Sequence, residues 1–363
     1  MDDSRIEQKE IAKYPDNPGR ILIAGHPFRG YTRMIFRAFQ QCGLTASLLE
    51  WEETEKNPLE NLRYAVSREY IRKMDGIRLR ENSRKLESCI LNDSFDYVLV
   101  INGAKISAEL RRYCLQKDIK LIFWAYDGYR HFPWLEEVNA RFDMLYTYEP
   151  SDVKYYSDVG NARFLPMAYD AGLYFPIDDS LQKDVDLCFI GAINFNHYER
   201  IKTLRELGRQ ERFKIEIWSD TISHLWPTRL IDLTIKLSGK NVKLLRKTLD
   251  HDEINRIYNR SKIGLNIHHR QSQKALNPRT FEILGSGRLL ITDRSLSMLD
   301  DFTVGRDYLL YETSDDLIDI AGDILGGQDR ISRIAESGHR NAKRGHTFLN
   351  RARSILTDLK RYG

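Results

Sequence analysis

Apolar residues in this chain come in short, unbroken runs separated by amphipathic stretches. Residues 21–24, 97–101 and 121–125 are apolar throughout and 144–148 nearly so, while the mixed 44–51 can be a second strand. Runs of this length and purity predict strands buried on both faces. Between them the apolar positions change to helical spacing, as at Ile35, Phe36 and Phe39 after the first run and over 106–115 after the third. Residues 59–90 are charged, with sparse apolar positions at Leu62, Val66, Tyr70, Ile77 and Leu86, and predict one or two exposed helices. Residues 170–183 break the pattern with Gly172, Pro176, Asp170, Asp178 and Asp179, which predicts a linker. The alternation then resumes. Strands are expected at 185–190, 213–218, 263–267, 289–292 and 308–311, and helices at 198–207, 253–260, 278–284 and 317–325. A last helix over 347–361 carries Phe348, Leu349, Ala352, Ile355, Leu356 and Leu359 on one face.

Strands that alternate with helices and are apolar throughout imply two α/β halves, each a parallel sheet covered on both sides. The expected organisation is a polar tail (1–20), a first domain (21–170), a linker (171–183), a second domain (184–345) and a terminal helix (346–363) packing back toward the first domain. Ligands of such sheets bind beyond the carboxyl ends of the strands, near a topological switch point. That directs attention to 25–29, Asn102-Gly103 and 126–131 in the first half.

Composition narrows the classes. A chain of 363 residues with 42% hydrophobic and 11% aromatic residues has material for two packed cores. Its 56 Lys+Arg against 52 Asp+Glu leave a net charge of +4, too small for a dedicated nucleic-acid coat. No apolar run approaches the roughly 20 residues that cross a bilayer, and residues 1–20 hold no signal-peptide core, so a soluble cytoplasmic protein is expected. Cys42, Cys89, Cys114 and Cys188 are far apart, without Cys-x-x-Cys spacing, and read as small buried residues. Asp184 and Asp186 form the nearest aspartate pair, but they precede their strand, the wrong end for a ligand; no metal site is expected. The interval 25–30 lacks the three-glycine dinucleotide fingerprint.

The segment richest in chemistry is Leu265-Asn-Ile-His268, a loop, and then Asn277-Pro-Arg-Thr-Phe-Glu282. Asn277 is a good N-cap and Pro278 suits a first helical turn, so a helix starts here and opens toward the mouth of strand 263–267. Such an opening is an anion site. Arg279 puts a cation where a helix prefers an acid, which makes sense in front of a phosphate; Arg270 and Lys274 add charge from the adjoining loop. Glu282 stands in an otherwise apolar helix, and a carboxylate there can accept both hydroxyls of a ribose. The alternative is a solvated Arg279–Glu282 pair three residues apart.

The ordered series LNIH…NPRTFEILGSGRLLITD, DFTVGRDYLLY and HTFLNRARSIL resembles the C-terminal half of glycosyltransferases like the spore maturation protein CgeB, with their group 1 type C-terminal domain. The resemblance spans about residues 184–360. It is thinner over 21–170, where it rests on Phe123-Trp-Ala-Tyr-Asp127 and on LPMAYDAGLYFP (165–176). It implies a GT-B fold: two Rossmann-like domains with a cleft between them and a C-terminal helix crossing back. It also implies a nucleotide-diphosphate sugar as co-substrate, a UDP-sugar foremost, held by the second domain without cofactor or metal. The acceptor, a glycan, protein or lipid-linked molecule of the cell envelope, would be held by the first domain. Carried over by position, Glu282 would hold the ribose; Asn277, Arg279, Thr280 and the helix start would hold the diphosphate, and Gly191 would let backbone approach it. Trp218 would flank the nucleobase or simply fill the core, and His268 would touch the donor or be a satisfied core histidine. Related retaining enzymes place a second glutamate eight residues before the ribose-binding one; here that position is Lys274, which leaves the stereochemical outcome open. The departure also keeps a non-catalytic nucleotide- or glycan-binding protein in view, and a sugar-nucleotide epimerase is a further alternative.

For the catalytic base, Asp127 follows a buried strand and is flanked by Tyr126, Tyr129 and Trp134, although Asp127-Gly128 equally makes a turn. His26 is the second candidate, with Arg29 beside it as an acceptor contact and Tyr126 and Tyr129 as surfaces for a sugar. The basic set Arg340, Lys343, Arg344, Arg351, Arg353, Lys360 and Arg361, against Asp358 alone, reads either as a peripheral membrane contact or as a solvated face opposite a packed one.

Overall fold

The structure is a computed structural model that describes residues 19–51, 68–128, 142–156, 161–178, 181–194, 197–219, 226–268, 274–296 and 299–362. The chain forms two compact units, residues 1–166 with 348–363, and residues 167–347.

In the first unit six described strands, β1 (Arg20–Gly25), β2 (Thr45–Glu50), β3 (Tyr97–Ile101), β4 (Lys120–Ala125), β5 (Met144–Thr147) and β6 (Asn161–Phe164), form one sheet in the order β2-β1-β3-β4-β5-β6. Every pairing in it is parallel. The unbroken apolar runs are its centre: Ile21, Ile23, Val98, Val100, Leu121 and Phe123 are fully buried. Of the charged stretch after residue 59, the described part is the helix Arg68–Asn92, whose Leu86 and Ile90 are fully buried; residues 52–67 lie outside the described part. The helix Phe348–Tyr362 belongs to this unit. Its Asp358 accepts from Tyr146 Oη (3.0 Å) and Arg163 Nη1 (2.5 Å), and its Phe348 ring lies 6.4 Å from that of Tyr31. The basic C-terminal set is therefore divided between units: Arg340, Lys343 and Arg344 sit on Gln328–Gly345 in the second. Arg351 is buried, its Nε donating to Pro166 O at 2.8 Å.

In the second unit β7 (Val185–Ile190), β8 (Ile215–Ser219), β9 (Val242–Arg246), β10 (Ser261–Asn266), β11 (Leu289–Thr292) and β12 (Leu309–Leu310) are ordered β12-β11-β10-β7-β8-β9, again all parallel. Counted from β7, this is the doubly wound order 3-2-1-4-5-6, with its switch point between β7 and β10. The segment 171–183, expected as a linker, lies inside this unit. Asn255 and Asn259, buried on the helix His251–Arg260, accept the N–H groups of Phe175 (3.3 Å) and Ile177 (2.8 Å), and Asn259 Nδ2 donates to Phe175 O. Its aspartates and glycine shape turns, but its backbone is tied to a helix. Asp184 and Asp186 at the amino end of β7 pair with Arg260 and Lys262. Cys42, Cys114 and Cys188 are buried and Cys89 half-buried, all as free thiols. Among the described residues no helix is long and apolar enough to cross a membrane.

Candidate functional site

Asn266 ends β10 fully buried, a position an amide tolerates only when its polar atoms are met. Its Nδ2 donates to Asn277 Oδ1 and to Thr280 Oγ1, both at 2.9 Å, and its Oδ1 accepts from Asn277 Nδ2 at 3.1 Å. Asn277 is in turn the N-cap of the helix Pro278–Gly285, accepting the Thr280 N–H at 3.3 Å. The strand end and the helix start are thus one hydrogen-bonded unit. At its other end the helix is held by His339 Nδ1, 2.9 Å from Leu284 O. A first helical turn presents N–H groups that the helix itself cannot pair, and here they open at the switch point.

Across that point runs Ile190-Gly191-Ala192, just past β7. Arg279 Nη1 donates to Ile190 O at 3.1 Å. A methyl group added at Gly191 would overlap the Arg279 guanidinium and come within 3.0 Å of the Phe189 ring, so the glycine is what lets the arginine lie there. From the other face Arg200, in the first turn of the helix Tyr198–Gly208, donates Nη1 to Ala192 O (2.6 Å) and Nη2 to Ile267 O (2.8 Å). It is buried, with its guanidinium 5.3 Å from the Phe189 ring centre. Two first-turn arginines therefore bracket Gly191, one of them also joining the ends of β7 and β10.

Glu282 lies one turn into the Pro278 helix and is only 2% exposed, which removes the reading of a solvated surface pair with Arg279. His268 is buried against Asp293: its Nδ1 is 2.7 Å from Asp293 Oδ1, and its backbone N–H reaches the same carboxylate at 3.0 Å. Its Nε2 faces Asn266 Nδ2 (3.4 Å) and the Asn277 N–H (3.5 Å), so His268 acts on the site through the N-cap. Burial holds its pKa below the ordinary 6.5, helped by Arg294 and Arg279 and opposed by Asp293. For Asp293 burial pushes upward, but the hydrogen bonds from His268 outweigh it and keep the carboxyl below its ordinary 3.8. The pair is a neutral imidazole donating to an ionised carboxylate.

Trp218 is half-buried, with Nε1 donating to Glu216 Oε2 (3.2 Å) and its carbonyl accepting the Gly191 N–H (2.9 Å). Glu216 aligns with Cys188 and Gly264, the latter facing Ile283 of the Pro278 helix, so Trp218, two residues on, shares that helix's side of the sheet. Lys274 is exposed; Arg270 lies outside the described residues.

In the first unit, Asn102 at the end of β3 takes the left-handed conformation (φ 51°), which Asn tolerates better than most residues. Its Oδ1 accepts the Tyr126 N–H (3.1 Å) and its Nδ2 donates to Asp127 Oδ2 (3.3 Å), while Trp51 Nε1 donates to its carbonyl (3.1 Å). Asp127 is exposed on this support. The Tyr126 hydroxyl is buried and makes no hydrogen bond among the described residues; burial raises its pKa well above 10, with Tyr31 adding and Arg351 opposing. Its ring meets Trp124 edge-on at 5.0 Å. His26 is exposed, its carbonyl accepting from Thr32 Oγ1 (2.5 Å); Arg29 has φ 49° and lies 5.9 Å from the Phe28 ring centre. Tyr129 and Trp134 lie outside the described residues.

The second unit thus gathers Gly191, Asn277, Arg279 and Thr280 at one strand crossing. Sequence reasoning passed over Asn266, Arg200 and Asp293. Arg200 carried the signal that drew attention to Arg279, a cation in a helix's first turn, and Asn266 was a lone amide inside an apolar strand.

Residues 200–357 match the family model described as glycosyl transferase-like. No curated protein matches the chain. Among solved structures, sucrose-phosphate synthase from Thermosynechococcus elongatus is 12% identical with a TM-score of 0.66, covering 94% of this chain and 98% of that one. HepE from Anabaena, solved with UDP and glucose, is 10% identical with a TM-score of 0.62 over 94% and 99%. A UDP-forming α,α-trehalose-phosphate synthase from Burkholderia xenovorans is 11% identical with a TM-score of 0.64, also over 94% and 99%. These likenesses establish the GT-B fold, with two Rossmann-like halves. The chain thus has a GT-B fold whose residues 200–357 carry a glycosyl transferase-like domain.

Proposed function

We propose that the chain moves a sugar from a nucleoside-diphosphate donor, UDP-sugar first, to a hydroxyl-bearing acceptor, without a metal ion, and that it is of the CgeB-like kind. The observation that carries the donor assignment is the Gly191 crossing, bracketed by Arg279 and Arg200 and faced by the opening of the Pro278 helix. A diphosphate at that opening meets backbone N–H groups, the positive end of the helix and the donors of Arg279 not committed to Ile190. Glu282, one turn further, receives the ribose hydroxyls, and Trp218 flanks the base. The UDP bound in HepE supports the choice of nucleotide.

Transfer breaks the bond from the anomeric carbon to the diphosphate and forms one to the acceptor oxygen, whose proton must leave. The first need is met by fixed positive groups placed where charge develops. Asp127, aimed by Asn102, is proposed to take the proton, with His26 as the second candidate. Arg29 and Tyr126 are assigned to the acceptor, whether glycan, protein or lipid-linked; Arg270 and Tyr129 keep the roles the resemblance implies.

The test is calorimetric titration with UDP, GDP and dTDP, followed by a panel of nucleotide sugars with EDTA present. One diphosphate should bind, and its sugar should be released or transferred. Glu282→Ala should lose turnover with its melting curve intact. Failure of every nucleotide to bind overturns the reading; tight binding with no turnover on any donor moves it to the non-catalytic alternative.

A further inference from the structure

The helix Trp226–Lys236 in the second unit packs inward through Ile231 and Ile235, which are buried in the core. Its outer side is unlike any other described surface. Leu230 and Leu233 are each 51% exposed and Leu237, one residue past the helix but still bonded back to Leu233 O, is 75% exposed. Spaced three and four apart, they form one continuous apolar ridge. The remaining exposed large apolar side chains of the described residues, such as Phe28, Leu91, Leu115 and Val304, stand singly along the chain. Isolated residues of that kind need no explanation, whereas a ridge does.

Beside the ridge run Arg229 and Lys236, seven residues apart and hence on one adjoining stripe, with Lys240 just beyond. All three are exposed, and among the described residues none makes an ion pair. The helix's one acid, Asp232, is consumed by a bidentate pair with Arg246. Leucine and lysine are poor material for the centre of a protein–protein contact, which favours Tyr, Trp and Arg and is depleted of Lys. An apolar ridge flanked by unpaired cations is instead the pattern of a helix lying in a membrane interface, where lysine stems cover apolar surface and their heads meet phosphate.

We propose that this ridge docks the second unit on an anionic phospholipid bilayer. The contact is independent of the donor site and of the donor assignment. It also relocates the membrane contact expected of the basic C-terminal segment, whose Arg351 is buried.

The experiment is co-sedimentation of the full chain with phosphatidylcholine vesicles, with and without about a third phosphatidylglycerol, at low and high salt. Wild type should pellet with the anionic vesicles only, less so in high salt. The triple variant Leu230→Gln, Leu233→Gln, Leu237→Gln should melt as wild type does and partition at least about tenfold less. Arg353→Gln with Lys360→Gln, on the terminal helix, should pellet as wild type. The proposal is overturned if wild type does not pellet, if the leucine variant pellets equally, or if the terminal-helix variant alone abolishes binding. It is equally overturned if light scattering shows a dimer that the leucine variant dissociates, which would assign the ridge to a second copy of the chain.

Discussion

Replacing Gly191 by Ala is the sharpest probe of the donor assignment, because it adds one methyl group and removes nothing. The backbone there lies outside the left-handed region, so alanine is conformationally acceptable. The methyl would overlap the Arg279 guanidinium, the far end of a flexible side chain that can swing away. Folding stability should therefore stay within about 1 kcal/mol of wild type, the strain offset by a less flexible unfolded chain. Nucleotide binding should not be spared. A guanidinium displaced from Ile190 no longer faces the helix opening, and a hydrogen bond to a charged group is worth about 1.5–3 kcal/mol. At about 1.4 kcal/mol per tenfold, UDP should bind roughly 10- to 150-fold more weakly. Calorimetry on wild type, Gly191→Ala, Arg279→Ala and the double variant closes the argument as a cycle. If the methyl acts through the arginine, the double variant binds UDP no worse than Arg279→Ala alone. Wild-type affinity in Gly191→Ala, or the same loss in both backgrounds, would show that the methyl does not act through Arg279.

Other consequences are as direct. His268 is held neutral, below its ordinary pKa of 6.5, so below that pH the unfolded chain takes up a proton that the folded one resists. Stability should fall as pH drops from about 7 to 5, and thermal melts of His268→Asn should show a shallower fall, though His339, depressed likewise by burial, leaves a residue of it. Arg200→Met leaves the Ala192 and Ile267 carbonyls without their donor and should cost about 2–4 kcal/mol in urea unfolding; a loss under about 0.5 kcal/mol would show that the clip is dispensable. Burial pushes the Cys114 thiol up to about 11 and the Cys188 thiol to about 12, so under native conditions a thiol reagent should modify Cys89 well before either.

The two-sheet architecture was legible because the central strands are built around short apolar runs, and such runs also mark where strands end. Asn277 was legible as an N-cap from Pro278 behind it and Gly191 as the end of its strand, but not that the two meet at one crossing. Two of the four described edge strands gave no such signal. Asn161–Phe164 is short and exposed along part of its length, and Val242–Arg246 buries only Leu244, so neither reads as a buried run. The helix Gln328–Gly345 was missed for a different reason. Gly338 in its middle reads as a breaker, whereas the structure needs it for close approach, since a methyl there would meet the Asp307 carbonyl and Leu284. Within the site, what escaped were partners rather than principals. Asp293 and Asn266 take their meaning from contacts across strands, 25 residues away in the case of Asp293 and His268. Spacing along one segment cannot display such contacts.

The first unit's dependence on the helix Phe348–Tyr362 has a consequence for biogenesis. Asp358, Phe348 and Arg351 complete contacts with Tyr146, Arg163, Tyr31 and Pro166, all made at least 185 residues earlier in synthesis. The later unit, residues 167–347, is wholly translated before that helix leaves the ribosome. The half begun first is therefore the half finished last, and a nascent chain must shelter an incomplete amino-terminal sheet until its final helix arrives.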